Sequence, residues 1–206
     1  MEMPGFSAAF RALSHGLFAS GLACNQPRDA RNNRGLTAFS GVVQNQPGIK
    51  QMAGTVEQKL ASQGITLPEP ASPVANYVPF VRTGNLLFVS GQVCYGADGK
   101  LVAKGKCGAG VSIEQGAAAA QACAINVLAQ IKAALGDLDK VVRVVRLGGF
   151  INSAPDFLDG PKVMNGASDL MVAAFGDKGR HARTTVGVAS LPADAAVEVE
   201  GVFEVA

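Results

Sequence analysis

Arg183, Thr185, Glu198 and Glu200 are the residues of this 206-residue chain whose types and spacing best suit chemistry. They lie in its final stretch, 181–205, which reads HARTTVGVASLPADAAVEVEGVFEV. In the last run Val197, Val199, Phe203 and Val205 share one parity with Gly201, while Glu198, Glu200 and Glu204 share the other. That alternation is a half-buried strand with an apolar and an acidic face. In the run before it Val186 and Val188 point one way, and Arg183, Thr185 and Gly187 the other. The intervening LPADA, 191–195, is turn chemistry, so the two runs read as a hairpin. Matching their apolar faces puts Arg183 and Thr185 on the same sheet face as Glu198 and Glu200. Arg suits bidentate capture of a carboxylate, and Glu suits holding a water or moving a proton. A solvated strand face with a surface ion pair is the ordinary alternative, and spacing alone favours it. His181 shares the parity of Arg183 but stands at the strand's entry, and it reads as structural or surface.

Several elements must position these residues. Thr55–Gln63 reads as a short helix, with Thr55 and Gln58 as a capping box and Gly64 as its stop. Three prolines make 68–73 an extended linker. Tyr77–Arg82 and Leu86–Ser90 are apolar-rich strands joined at Gly84-Asn85. Ser90-Gly91-Gln92 follows, where glycine permits close approach of a neighbour or ligand. Ser112–Leu135 is the clearest helix, with Ser112 as cap, Gln115 at the capping-box position and Gly136 as stop. Asp139–Ile151 is a β-branched strand with a bulge expected at Gly148-Gly149. A second helix runs from about Lys162 to Phe175. The order implies an α+β layer: a sheet of about six strands with two helices packed on one face. A closed homo-oligomer is the simplest cover for the other face.

Composition narrows the classes. Hydrophobic residues make up 48% of the chain, enough for a real core. Five of the 18 Lys/Arg and only two of the 16 Asp/Glu fall within residues 1–51, a net of +3 there, which leaves −1 for the rest. The body therefore lacks the basic footprint of a nucleic-acid binder. Residues 1–51 lack sustained periodicity and are read as a disordered or non-native extension, with Met52 as an alternative start and a transit peptide as the competing reading. The folded domain is expected over 52–206. No two of the four cysteines have C-x-x-C spacing and there are two histidines, so no metal site is expected. Reduced thiols and a cytoplasmic protein are expected, or an organellar one if 1–51 is a transit peptide. No apolar run reaches the roughly 18–20 residues of a membrane span.

Four stretches then carry a family likeness: Asn76-Tyr77-Val78 leading to Gly84-Asn85; Phe88-Val89-Ser90-Gly91-Gln92; Asn165 ahead of Phe175-Gly176; and Ala182-Arg183, Leu191-Pro192 and Val197-Glu198-Val199-Glu200. In these, 70–205 resembles the RidA family, also known as YjgF or endoribonuclease L-PSP. The resemblance implies a chorismate-mutase-like α+β protomer, a homotrimer with clefts between subunits, and hydrolysis of reactive 2-imino acids to 2-keto acids and ammonia. By position, Arg183 would clamp the substrate carboxylate and Glu198 would activate water. Tyr77 would line the cleft from the adjoining subunit. Gly91 and Thr185 would offer backbone contacts, and Asn165 a lesser one. No cofactor is implied, and the partners implied are small 2-imino or 2-keto carboxylic acids. Two departures stand out: Thr185 occupies a position where active relatives commonly carry Cys, and 165–175 is about three residues longer than usual. A non-catalytic carboxylate-binding module is the alternative, and an RNA-directed activity is disfavoured by the charge balance.

Overall fold

The computed structural model describes residues 54–70 and 76–206; the extension 1–51 and Met52 lie outside the described residues. The fold is built around a helix that starts as its sequence dictates. The Ser112 side chain accepts from the Gln115 N–H at 3.2 Å, and the Gln115 side chain accepts from the Ser112 N–H at 2.9 Å. This capping box satisfies two donors that the first turn would otherwise orphan. In chain order the elements are α1 (Thr55–Ser62), β1 (Phe80–Thr83), β2 (Leu86–Val93), β3 (Lys106–Cys107), β4 (Gly110–Val111), α2 (Ile113–Leu135), β5 (Val141–Asn152), α3 (Gly160–Phe175), β6 (Ala182–Val188) and β7 (Val197–Val205). Gly136 ends α2 in the left-handed region at φ 78°, which glycine adopts without a Cβ penalty.

The main sheet has five strands in the order β1-β2-β7-β5-β6, and β3-β4 form a separate small ribbon. Every neighbour pair in the main sheet is antiparallel except β5–β6, which is parallel. Helix α2 packs over β2 and β7, and α3 over β5 and β6. Leu87, Val89, Leu147, Ile151, Val197, Val199 and Phe203 are buried. They form the sheet's contribution to a core completed by Ala119, Ala120, Val127, Leu128, Ile131, Val163, Met164 and Met171. The alanine-rich start of α2 serves the helix–helix contact as well as the sheet. A Cβ on Gly166 of α3 would collide with the Ala117 carbonyl, so the two backbones touch. By length and composition α2 also matches a bilayer span, but 61% of its apolar window is buried, as in the core helix of a soluble fold.

Three local readings need correction. Gly148-Gly149 is not a bulge; the irregularities of β5 fall between Val141 and Arg143 and between Val144 and Arg146. The two glycines instead make room, Gly148 for the Glu200 side chain on one face and Gly149 for Met164 on the other. Nor does Thr55 cap α1. The N-cap is Gly54, which has no side chain, and Asp139 fills the role from across the fold. Its carboxylate accepts from Thr55 N at 2.8 Å, Thr55 Oγ1 at 2.8 Å and Val56 N at 3.0 Å. These bonds, the Thr55 backbone first, hold the Asp139 carboxyl below its usual range.

The third correction matters most: β6 and β7 do not form a hairpin. β5 lies between them, and 189–196 crosses from the sheet edge back to its centre. Lys106 fixes that crossing, donating to Asn152 Oδ1 at 2.9 Å and to the Ala189 carbonyl. Buried Asn152 donates in turn to Asp194 Oδ1 at 3.2 Å. Ala193 and Asp194 sit there at φ 55° and 60°, a turn that local alternation does not announce.

Candidate functional site

Arg183 leaves the edge strand β6 on the helix side of the sheet. Its strand partner is Leu147, and Thr185 pairs with Gly149, whose open side meets Met164 of α3. The guanidinium is exposed and fastened to α3. Nη1 donates to Asn165 Oδ1 at 2.9 Å and to Ser168 Oγ at 3.0 Å, and Nη2 reaches the Pro161 carbonyl at 3.4 Å. Both Nη1 hydrogens are thereby used. Among the described residues Nε–H meets no acceptor, and Nη2 keeps one hydrogen. The remaining Nε/Nη2 edge is the fork that matches a carboxylate. His181 stands behind it, half-buried, with Nδ1 2.6 Å from the Gly179 carbonyl and Nε2 3.1 Å from Ser168 Oγ. Burial first, and then the Arg183 charge, pull its pKa below the ordinary histidine value.

Glu198 projects from the opposite side of the sheet. Its β5 partner is Phe150, and its side chain fills the space over Gly91 so closely that any Cβ there would overlap Oε1. The register of β2 against β7 breaks between Val89 and Gln92, around that glycine. Glu200 lies two residues on, over Gly148, and pairs with Arg146 at 3.4 Å. Burial, and secondarily the Glu200 charge, raise the Glu198 pKa. A raised pKa moves a carboxylate toward the range of a useful base. Tyr77 precedes β1, at the edge of the sheet next to β2. Its segment is tied to Ser90, which donates from Oγ to the Val78 carbonyl at 2.8 Å and from N to the Pro79 carbonyl at 2.9 Å. Tyr77 itself is 54% exposed.

The six candidate residues thus fall into two groups. Arg183, Thr185 and Asn165 gather on the helix side at the sheet edge. Glu198 and Gly91 meet on the open side, and Tyr77 stands at the β1–β2 edge of the sheet, tied by its segment to Ser90. The expectation that Arg183 and Thr185 share a face with Glu198 and Glu200 fails, because that pairing assumed adjacent strands. With β5 interposed, Val186 and Val188 face the open side, and Val186 is 42% exposed. Thr185 Oγ1 is buried and has no hydrogen-bond partner among the described residues. Sequence reasoning missed Ser168 altogether and gave His181 no role. The available signal was the spacing of Asn165 and Ser168, three apart on α3, which puts both on one helix face.

One acidic group brings carboxylate oxygens of Glu57, Asp137 and Asp139 within 4.8 Å of one another. Each of the three accepts at least one backbone N–H: Glu57 from Leu138, Asp137 from Asp139, and Asp139 from Thr55 and Val56. Lys132 lies 3.7 Å from Glu57. The cluster works as a set of helix and turn caps. Among the described residues Cys94, Cys107 and Cys123 are free thiols buried in the core.

Comparison with known proteins places this geometry. Residues 57–203 match the family model described as "YjgF/chorismate mutase-like, putative endoribonuclease". The chain is 49% identical over 153 residues to Protein TCP17 of Trypanosoma cruzi, covering 74% of this chain and 95% of that protein. It resembles the crystal structure of Atu1372, a protein of unknown function from Agrobacterium tumefaciens, at 47% identity and a TM-score of 0.69, over 73% of this chain and 92% of that one. It also resembles the crystal structure of a "putative endoribonuclease" from Shewanella oneidensis MR-1 at 35% identity and a TM-score of 0.71, over 74% of this chain and all of that one.

Proposed function

The chain belongs to the YjgF/RidA family, and on that premise we propose that it hydrolyses 2-imino acids to 2-keto acids and ammonia in clefts between the subunits of a homotrimer. The observation that carries the reading is the state of Arg183: α3 takes both Nη1 hydrogens and one on Nη2, and leaves Nε–H and the other Nη2 hydrogen for a carboxylate. A 2-imino acid holds its carboxylate next to the electrophilic C=N carbon, so gripping one end places the other. Such positioning alone supplies several kcal/mol. The ionised Glu198 takes a proton from water as the water oxygen bonds to that carbon and the C=N π bond opens, and it returns that proton to the nitrogen. In the resulting carbinolamine the C–N bond breaks as the hydroxyl proton passes through Glu198 to the departing nitrogen, which releases the keto acid and ammonia and leaves Glu198 ionised. Imines hydrolyse slowly without help, so a site of one clamp and one base suffices.

The two groups sit on opposite sides of one sheet and cannot both touch one small ligand within a protomer. The cleft therefore joins Arg183, Asn165 and Thr185 of one copy to Glu198, Gly91 and Tyr77 of the next. The open sheet face supports such an assembly: Val81, Phe88 and Val186 are 52%, 42% and 42% exposed there. Apolar exposure of this kind on a sheet face marks an association surface.

A mixed-subunit experiment tests the reading. Imine consumption is followed in a coupled amino-acid oxidase assay with Arg183→Ala, with Glu198→Gln, and with trimers reassembled from both. Each variant alone is expected to be inactive, and every mixed trimer to regain one wild-type cleft. If mixed trimers stay as inactive as their parents, the shared cleft is wrong. If wild type binds a 2-keto acid yet never accelerates imine loss, the protein is a carboxylate-binding module.

A further inference from the structure

Resting on the reading of Arg183 as a carboxylate clamp, we infer that Ser168 and His181 are positioning residues: a hydrogen-bond relay that fixes which edge of the guanidinium faces the ligand. The direction of every bond in the relay follows from the donor inventory. Arg183 Nη1 can only donate, so Ser168 Oγ accepts from it at 3.0 Å. The Gly179 carbonyl can only accept, so the proton of His181 lies on Nδ1, 2.6 Å away. That leaves Nε2 of the neutral imidazole as an acceptor for the single Ser168 hydrogen, at 3.1 Å. Donation therefore runs one way: Arg183 to Ser168 to His181 to the Gly179 carbonyl.

Burial and the Arg183 charge disfavour the imidazolium, which keeps the ring in the form the relay requires. The far end is anchored by backbone. Gly179 is buried, and any Cβ on it would collide with the Met171 carbonyl, so its turn lies directly against α3. The near end is fastened by Asn165, one helical turn from Ser168, which takes the second Nη1 hydrogen at 2.9 Å. Without an acceptor for its hydrogen, Ser168 would turn that hydrogen elsewhere, including toward Arg183. The guanidinium would then be free to rotate its Nε/Nη2 edge away from the cleft. Neither Ser168 nor His181 needs to touch the ligand for this. Both act through Arg183, whose own strand and helix contacts would otherwise leave a long side chain several rotamers to choose from.

The test uses 2-oxobutanoate as a stable carboxylate probe, with affinity measured calorimetrically on the intact trimer at pH 7.5. Arg183→Ala comes first and should abolish binding; if it binds as wild type, the clamp reading fails irrespective of the relay. Given that loss, Ser168→Ala and His181→Phe should each weaken binding about fivefold to tenfold, in keeping with a lost neutral hydrogen bond that acts indirectly. Ser168→Thr, which keeps the hydroxyl, should restore wild-type affinity. By 15N NMR, His181 should be the Nδ1–H tautomer. Its Nε2 resonance should move on adding 2-oxobutanoate to wild type and stay fixed in Ser168→Ala. The relay is overturned if both variants bind as tightly as wild type. It is equally overturned if Ser168→Thr fails to rescue, or if the proton resides on Nε2.

Discussion

Glu198 stands two residues from Glu200 on one strand face, and the second carboxylate helps to raise the pKa of the first. In the proposed hydrolysis the base must be ionised to accept a proton, so activity should fall as pH drops through the raised pKa. Glu200→Gln removes the like charge and leaves burial as the main cause. The acidic limb of the kcat profile should therefore shift to lower pH, with the plateau above neutrality little changed. An unmoved limb would assign it to another group. Thr185 yields a stability prediction. Its buried, unpartnered hydroxyl carries a desolvation cost of about 1–3 kcal/mol in principle. Thr185→Val keeps the shape and deletes the hydroxyl, so Tm should rise or hold at fixed protein concentration. A falling Tm would show that the hydroxyl bonds a neighbouring copy. Type and motif, which are local properties, single out Arg183, Glu198, Gly91 and Asn165 as candidates in the sequence. Their spatial grouping was not legible. Parity assigns a side chain to a face only once the neighbouring strand is known, and no alternation in β6 or β7 reveals that β5 lies between.

At the scale of elements, α2 was legible to the residue because its capping box and its glycine stop are both local signals. The start of α1 at Thr55 was legible too, but its cap was not, because that comes from Asp139, 84 residues away. Asp139→Ala should cost about 1 kcal/mol, as lost N-caps do. Amide hydrogen exchange should speed up in α1 while α2 stays protected. Uniform exchange across both would mean that α1 stands without this cap. The contact of α2 with α3 permits a harsher prediction. In Gly166→Ala the new methyl meets a backbone carbonyl, which cannot rotate aside. The helices must separate, at a cost of at least about 1–3 kcal/mol, read as a lower midpoint in urea. Because Asn165 and Ser168 flank that position, binding of 2-oxobutanoate should weaken as well. A variant as stable as wild type would show that the helices do not touch there.

For the whole molecule, the open sheet face is the feature that bears on assembly. Phe88 and Val81 lie on it in the paired strands β2 and β1, and Val186 in β6 at the opposite edge, all outside the helical layer. Phe88→Arg leaves the protomer's core untouched, since the side chain already faces away from it. It should shift light scattering from the proposed trimer toward monomer while far-ultraviolet circular dichroism is unchanged. An intact trimer would place the association surface elsewhere.

The last nine residues of the fold, in β7, form its middle strand. Synthesis therefore delivers the central plank of the sheet after all the others. Until Val205 has left the ribosome, β2 and β5 each present an unpaired edge, and α2 has half a floor to rest on. The nascent protein must wait with both edges open, the arrangement most prone to pairing with other chains. A chain that lacks β7 is a sheet split down its centre, so its two halves can join only once that strand is in place.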